Sequence, residues 1–348
     1  MKQKIEHILV IRLSAMGDVA MLIPVLEIVH ATYPRLKISV LTKPFFSHLF
    51  AHLDFVNIHV AEVKGKHKGV AGLFKLSSEL PDDIDAVADV HNVLRSKILR
   101  KFFALKGMKI KKINKGRKEK KELTKLKTKK IHPLKSSHQR YADVFEKLGF
   151  PIDLKRKLEA KKLEIGNSIK TGLGIEAEKK YIGFAPFAAH HPKAYPKEKS
   201  KKLIELIIEQ TNIQLLLFGG GKDEVNALHQ LKGKHNQVQV VAGKFDFKAE
   251  LALISNLKLM ISMDSGNGHL AAMFQVPVIT IWGATHPFAG FAPFGQLKEN
   301  QFLPDLNQYP LLPASIYGKK EVKGYENLMH SIDEQAIVNR IKTIILEK

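Results

Sequence analysis

The residues of this chain that could do chemistry lie in short segments, each placed after an apolar run. The clearest is the segment from Asp264 to His269, Asp-Ser-Gly-Asn-Gly-His, which follows the apolar run 257–262 and leads into a helix candidate at 270–274. An acidic residue and a hydroxyl at a helix start, followed by glycines, leave several backbone N–H groups unpaired. With the helix dipole behind them, such groups suit a phosphate or diphosphate. The segment therefore predicts an anion site.

Asp18 ends a second segment, Arg12 to Asp18, which lies at the carboxyl end of the first strand candidate. Ligands bind at this edge of open α/β sheets. The single Gly17 does not make the G-x-G-x-x-G pattern of a dinucleotide site. Two interpretations of Asp18 stay open, a cap on the following helix or a general base that faces a cleft.

Lys193 lies in a third segment, 188–196, after the strand candidate 181–185. Its place in a loop at a strand end favours a phosphate contact over a plain surface lysine. The adjacent His190 and His191 do not predict a metal site, because neighbours in sequence generally cannot both face one ion. No H-E-x-x-H spacing occurs either, so we expect no metal.

Glu224 ends a fourth segment, which begins with three glycines at 219–221 after the strand candidate 213–218. The segment lacks the pattern of a P-loop. It is either a plain strand-to-helix turn or a place where Glu224 meets the ribose of a nucleotide.

The elements that must position these residues alternate between strands and helices. The strand candidates are 7–13, 37–42, 56–60, 86–90, 181–185, 213–218, 238–241, 257–262 and 276–281. The helix candidates are 19–33, 45–52, 73–80, 93–105, 137–148, 199–210, 223–231, 247–255 and 333–346. This alternation predicts parallel βα units in doubly wound α/β sheets, and the polar stretch 154–177 between the halves predicts an interdomain linker.

Composition narrows the class of protein. The chain has 348 residues, 45% of them hydrophobic, and no cysteine, which excludes disulfides, thiolate metal sites and cysteine nucleophiles. The net charge of +22 indicates an anionic partner, or else a lysine-rich surface that serves solubility. Between Arg95 and Lys135 stand eighteen Lys or Arg residues and only two acidic ones. Aromatic residues are few there, which argues against a platform for single-stranded nucleic acid.

Taken together, the segments resemble the lipopolysaccharide heptosyltransferase family (glycosyltransferase family 9). The matching motifs occur in the family's order over nearly the whole chain: 14–19, 89–96, 193–196, 218–224, 264–272 and 283–285. The resemblance implies a GT-B architecture, in which two Rossmann-like doubly wound domains face a central cleft. Residues 1–165 would be the acceptor-binding domain and 175–330 the nucleotide-sugar-binding domain, with 331–348 a helix that returns towards the first domain.

The resemblance also implies roles for single residues. Asp18 would be the catalytic base that takes the proton of the acceptor hydroxyl. Acceptor binding is expected of Ser14, Gly17, His91 and Arg95. Donor binding is expected of Lys193, Glu224, Asp264, Ser265, Gly266, Asn267, Gly268, His269 and Thr285. No cofactor is implied, because the ADP-sugar is a substrate.

The implied reaction moves a heptose from an ADP-sugar to the inner core of a lipopolysaccharide precursor, with inversion. The expected partners are the nucleotide sugar, the acidic acceptor and an anionic membrane surface that meets the basic stretch 95–135. We expect a cytoplasmic protein that associates peripherally with the inner membrane, and no nucleic-acid partner.

Three alternatives stay open. Ala188 and Ala189 stand where some family members carry hydroxyl residues, which leaves room for another nucleotide sugar or acceptor on the same fold. The charge alone would also fit a nucleic-acid-binding protein, although no binding motif supports it. A binding or regulatory protein that kept the fold and lost activity is the third.

Overall fold

The computed structural model describes residues 4–127, 129, 131–176 and 179–346. The chain divides into two compact units, one made of residues 1–115 and 137–158 and the other of residues 116–136 and 159–348. In chain order, the elements up to the end of the first unit are β1 (His7–Ile11), α1 (Met16–Ala20), α2 (Ile23–Thr32), β2 (Lys37–Thr42), α3 (Pro44–Ser47), β3 (Val56–Val60), α4 (Gly69–Ser78), β4 (Ala86–Asp89), α5 (Leu94–Leu105), β5 (Lys109–Lys112), α6 (Arg117–Leu123) and α7 (Ser137–Leu148). The remaining elements are α8 (Asn167–Leu173), β6 (Tyr181–Ala185), α9 (Lys197–Gln210), β7 (Gln214–Leu217), α10 (Lys222–Lys232), β8 (Val238–Val240), α11 (Phe247–Ser255), β9 (Leu259–Met263), α12 (Gly266–Met273), β10 (Val278–Ile281), β11 (Gln301–Phe302) and α13 (Glu334–Leu346).

The first unit is built on a parallel sheet of order β3-β2-β1-β4-β5. The central strand β1 is buried along its whole length, which explains the apolar run that follows His7. In the register, Ile8 lies opposite Ile38 of β2 and Ala86 of β4. Helices α4 and α5 pack side by side and contribute Leu73 and Phe103 to the core.

The second unit has a parallel sheet of order β11-β10-β9-β6-β7-β8. Helix α13 packs against α9 and also contacts β9, so the last helix of the chain contributes to this core. The two parallel sheets with their helices confirm the predicted α/β fold. The assignment of acceptor and donor roles to the two domains stays a prediction.

Several segments differ from the elements predicted from sequence; α6 and β11, for example, were not predicted. The single helix expected over 19–33 is two helices, α1 and α2, because a turn at Met21 and Leu22 precedes Pro24 near the start of α2. The stretch 154–177 contains α8 and so is more than a linker. The strand β5 was not predicted, since its sequence Lys-Ile-Lys-Lys lacks an apolar run; it lies at a sheet edge, where lysine is common.

The basic stretch 95–135 is divided between the units. Residues up to 115 form α5 and β5 in the first unit, whereas α6 belongs to the second, where Leu123 packs with Ala289. Among the described residues, no helix is long and apolar enough to cross a membrane.

Candidate functional site

Asp18 lies in the first turn of α1, directly beyond the carboxyl end of β1. Ala15 is the residue that precedes the helix, and its N–H donates to Asp18 Oδ2 at 3.3 Å. The same oxygen lies 2.5 Å from Nη2 of Arg12. The side chain of Asp18 is nevertheless 31% exposed. The carboxylate therefore stabilises the helix start and remains reachable for a ligand.

Two partners of Asp18 were not recognised from the sequence, Arg12 and Tyr141. Arg12 is buried, and its Nη1 donates to the carbonyl oxygen of Val90 at 2.7 Å. Tyr141, on α7, donates to the main-chain oxygen of Asp18 at 3.1 Å, and its ring lies 5.7 Å from the guanidinium of Arg12. The available signal was the charge of Arg12 directly after an apolar strand, because a buried charge needs a partner.

His91 joins the same cluster from the end of β4. Its Nδ1 accepts the N–H of Leu13 at 3.4 Å, and its Nε2 lies 3.4 Å from Oγ of Ser14. Burial, helped by the nearby charge of Arg12, lowers the pKa of His91 to about 3. The ring is therefore neutral, with its proton on Nε2, and donates to Ser14.

The turn after β4 explains the place of His91. Oδ1 of the fully buried Asp89 accepts the N–H groups of His91 and Asn92, at 3.0 and 2.7 Å. Asn92 takes a left-handed conformation with φ of 48°, which asparagine tolerates better than most residues. Of the predicted acceptor residues, the structure thus gathers Ser14 and His91 near Asp18. Gly17 directly precedes Asp18 in α1, and Arg95 is exposed on α5.

Lys193, in the second unit, ends a short 3₁₀ turn, His191–Lys193, that follows β6. Its Nζ donates to the main-chain oxygen of Asp264 at 2.5 Å and to Asp264 Oδ2 at 3.1 Å. Both side chains are nearly buried, with 12% and 11% of their surfaces exposed. A Cβ on Gly318 would overlap the methylene groups of Lys193, so the backbone there lies directly on this side chain.

Thr285 completes this cluster from the end of β10. Its Oγ1 donates to Asp264 Oδ2 at 2.8 Å. The N–H of Ala284 donates to the carbonyl oxygen of Pro192 at 2.9 Å, which fixes the turn of Lys193 against the end of β10. Residues predicted from three separate motifs therefore meet at one point.

Helix α12 begins beside this cluster. Ser265 is its capping residue, with an extended backbone, and Oγ of Ser265 is buried and makes no hydrogen bond within the described residues. The first helical residues are Gly266, Asn267 and Gly268, whose N–H groups cannot be paired within the helix. Gly268 packs tightly, since a Cβ there would lie 2.6 Å from Oγ of Ser262, and His269 is buried.

Glu224 lies in the first turn of α10, after β7, and holds its own loop. Its Oε2 accepts the N–H of Gly220 at 2.7 Å. The strands β6, β7, β9 and β10 are parallel neighbours, so Lys193, Glu224, Asp264 and Thr285 all follow carboxyl ends at one edge of the sheet. Among the described residues, no hydrogen bond or ion pair links Glu224 to the other three.

This arrangement can hold a diphosphate. The start of α12 offers unpaired N–H groups and the positive end of a helix dipole. Lys193 uses two N–H bonds on Asp264, which leaves one for an anion. Among the described residues, no group of three or more His, Asp or Glu side chains is placed to hold a metal ion.

Several known proteins are similar to this chain. The family model of glycosyltransferase family 9 (heptosyltransferase) matches residues 73–312, a range that holds Lys193, Asp264 and Thr285. Lipooligosaccharide heptosyltransferase 2 of Haemophilus influenzae is 25% identical over 300 residues, which cover 81% of this chain and 84% of that protein. Lipopolysaccharide heptosyltransferase 2 of Escherichia coli is 24% identical, but this chain matches only 49% of its length.

Solved structures share the fold. The glycosyl transferase family 9 protein of Veillonella parvula has a TM-score of 0.74 at 19% identity, with 100% of this chain and 99% of that chain covered. The Escherichia coli heptosyltransferase WaaC, solved with ADP-2-deoxy-2-fluoro heptose, has a TM-score of 0.66 at 18% identity, with 97% and 99% covered. The family model spans most of the chain and includes the cluster at α12. The chain therefore belongs to glycosyltransferase family 9, the heptosyltransferase family, and is a glycosyltransferase.

Proposed function

We propose that this protein transfers a heptose from an ADP-sugar to the inner core of a lipopolysaccharide precursor, with inversion at the anomeric carbon. The observation that carries the proposal is the meeting of Lys193, Asp264 and Thr285 at the start of α12. This is an anion site built from the ends of three parallel strands. The ADP-sugar donor supplies a diphosphate that would fit it.

The chemistry of the leaving group supports this assignment. When the sugar departs, negative charge grows on the nucleoside diphosphate. The N–H groups of α12 and the ammonium of Lys193 are fixed in place and would stabilise that charge without rearrangement. Asp264 holds Lys193, and its carboxylate could accept a hydrogen bond from a hydroxyl of the transferred sugar. Glu224 is proposed to contact the ribose.

Asp18 is proposed as the base that takes the proton of the acceptor hydroxyl as that oxygen attacks the anomeric carbon. Its partial exposure leaves room for the acceptor. The N–H of Ala15 and the guanidinium of Arg12 fix one carboxylate oxygen, which orients the other. Ser14, Gly17, His91 and Arg95 are proposed as acceptor contacts. Ser14 Oγ accepts from the neutral His91 and so can direct its own proton to an acceptor oxygen.

The names of the relatives support the substrates. The matched Haemophilus influenzae protein is a lipooligosaccharide heptosyltransferase, and the WaaC structure holds a fluorinated ADP-heptose. Because the identities are low, another nucleotide sugar or acceptor on the same fold is the second candidate. The alanines at 188 and 189 favour it, since they offer no side-chain hydroxyl beside the Lys193 turn.

We further propose that the protein works in the cytoplasm at the inner membrane, where the acceptor lies. Helices α4 and α5 expose apolar side chains: Val70 is 61% exposed, Phe74 59% and Leu105 86%. The rings of Phe74 and Phe102 meet at 5.4 Å, which joins the two helices into one surface. The same helices carry exposed lysines at 75 and 101, and the exposed Lys68 directly precedes α4. Apolar residues among lysines suit an anionic bilayer surface.

The decisive experiment is a transfer assay with purified protein. We expect it to move heptose from ADP-heptose to a heptose-deficient lipopolysaccharide precursor. A thermal-shift screen should show stabilisation by ADP at concentrations where UDP and GDP have little effect. Preference for UDP or GDP would favour the second candidate. Binding of all three without transfer to any acceptor would contradict a catalytic role.

A further inference from the structure

A cavity of about 590 Å³ opens in the second unit beside the turn that carries Lys193. His191, Pro192 and Ala194 line the cavity, whereas Nζ of Lys193 lies at Asp264. The turn therefore has two sides, one at the proposed donor site and one at this cavity. Residues of the segment 321–330 also line the cavity. The volume of the cavity falls in the range of pockets that bind small molecules.

The interior of the cavity suits a flat apolar group. Three aromatic rings line it, those of Phe187, Tyr195 and Tyr325, together with Val322 and Leu328. The ring of Tyr325 is held in place, because its hydroxyl accepts the N–H of Leu311 at 2.9 Å and its ring packs against that of Tyr309 in a T-shaped arrangement. Rigid aromatic walls of this kind favour stacking or edge contacts with another ring.

The charged lining of the cavity is mainly acidic, in contrast to the charge of +22 that the chain carries as a whole. Three glutamates lie around the cavity: Glu198, Glu321 and Glu326. Two of them face histidines, Glu198 at 2.7 Å from His330 and Glu321 at 3.5 Å from His191. All three glutamates are exposed, and Lys197 is the one lysine of the lining. Aromatic rings together with carboxylates favour a cation.

One segment joins the cavity to the proposed donor site. Gly318 lies on the methylene groups of Lys193, and a few residues later Val322 and Tyr325 form a wall of the cavity. A ligand that holds the wall would also hold the backbone that covers Lys193. Fixing a binding residue in advance raises affinity because less freedom is lost on binding.

We propose that this cavity is a second binding site, for a small molecule that carries a flat apolar ring and a cationic amine, and that its occupancy strengthens donor binding. The proposal of a second binding site depends on the cavity alone. The proposed effect on donor binding rests on the proposed function, because it concerns ADP at Lys193.

The test uses tryptamine as the probe and indole-3-propionate as its anionic counterpart with the same ring system. We expect tryptamine to bind with a Kd of about 1 mM or tighter, as measured by ligand-observed NMR titration. The anionic compound should bind at least tenfold more weakly. Absence of tryptamine binding, or equal binding of the two compounds, would overturn the proposal.

Two variants locate the site. Val322→Trp fills the cavity and should abolish tryptamine binding. The pair Glu321→Gln and Glu326→Gln keeps hydrogen-bonding groups, removes two charges and should weaken tryptamine about fivefold. A thermal unfolding midpoint equal to that of the wild type verifies that each variant is folded. Wild-type affinity in folded Val322→Trp would place the probe elsewhere and refute the assignment.

The coupling is measured by titrating ADP with and without saturating tryptamine. We expect ADP to bind about threefold more tightly in its presence, and tryptamine to gain equally from ADP. An unchanged ADP affinity would show that the cavity and the donor site are not coupled. Failure of ADP to bind at all would instead contradict the proposed function, so the two failures can be told apart.

Discussion

Asp18 is the residue on which the proposed chemistry depends most. Asp18→Asn keeps an oxygen for the N–H of Ala15 but cannot take a proton. We expect transfer to fall by roughly 10²–10⁴-fold, the usual contribution of a general base. The measurement is kcat with ADP-heptose, and ADP affinity is the control, since the proposed ADP contacts lie in the other unit. Activity within tenfold of wild type would exclude Asp18 as the base.

Lys193 is the residue that should determine donor affinity. Lys193→Ala removes the ammonium and leaves the nearly buried carboxylate of Asp264 facing the diphosphate. We expect ADP to bind about 10–100-fold more weakly, the effect of losing a hydrogen bond to a charged group. Calorimetric titration measures this loss. Lys201→Ala, at an exposed lysine of α9, is the matched control and should leave ADP binding unchanged. Equal affinities in the two variants would remove Lys193 from the site.

At this scale the sequence predicted the residue types better than their partners. Asp264, Lys193 and Thr285 were each placed by a motif after a strand, and parallel strands bring such positions to one edge. Arg12 lies close to Asp18 in sequence, and its charge directly after an apolar strand was the signal for it. Tyr141 was missed because its contact with Asp18 depends on α7, which is remote in sequence. No local pattern contains that information.

Helices α4 and α5 carry the proposed membrane contact. The paired change Phe74→Ser and Leu105→Ser removes two exposed apolar groups and leaves the lysines in place. We expect binding to vesicles with phosphatidylglycerol to fall at least tenfold, because burying each side chain contributes about 1.5–3 kcal/mol. Co-sedimentation measures the bound fraction.

Phe45→Ser is the matched control for this surface, because Phe45 is 51% exposed but lies on α3. It should bind the same vesicles as wild type does. Binding that is unchanged in the paired variant, or that falls equally in the control, would show that the membrane is met elsewhere. In the paired variant the remaining vesicle binding would depend on the lysines, and it should be lost at high salt concentration.

Strands and helices of regular pattern were predicted closely, including β2, β3, β6, α7 and α11. The failures have physical causes. Helix α8 is short and mostly polar, and only Ile169 and Leu173 are buried, so its sequence gives little helical periodicity. Strand β5 has a single apolar residue, Ile110, and exists because β4 offers it a partner.

The stability of the whole molecule should depend on pH through His91. Its pKa is lowered to about 3 by burial, so between that value and about 6.5 the unfolded chain binds a proton that the native state does not. The free energy of unfolding is therefore unaffected by the titration of His91 above about pH 6.5, and it decreases as the pH falls below that value. At pH 5 the loss is about 2 kcal/mol.

The comparison of wild type with His91→Gln isolates this effect. The free energy of unfolding in urea should fall by about 2 kcal/mol more for wild type than for the variant when the pH is lowered from 7 to 5. The contributions of all other titrating groups cancel in this difference. His191→Gln, at a histidine with 84% of its side chain exposed, is the control and should follow wild type. Identical pH dependence in wild type and His91→Gln would contradict a buried neutral His91.

The edge strand β5 has a consequence for how copies of the protein meet one another. An open parallel sheet ends in a row of unpaired backbone groups, which could add a strand from a neighbouring molecule. Here that row is carried by three lysines, Lys109, Lys111 and Lys112, on the last strand of the first sheet. Two such edges repel each other before their backbones can pair. The positive charge that would attract an anionic partner thus also guards this edge against aggregation.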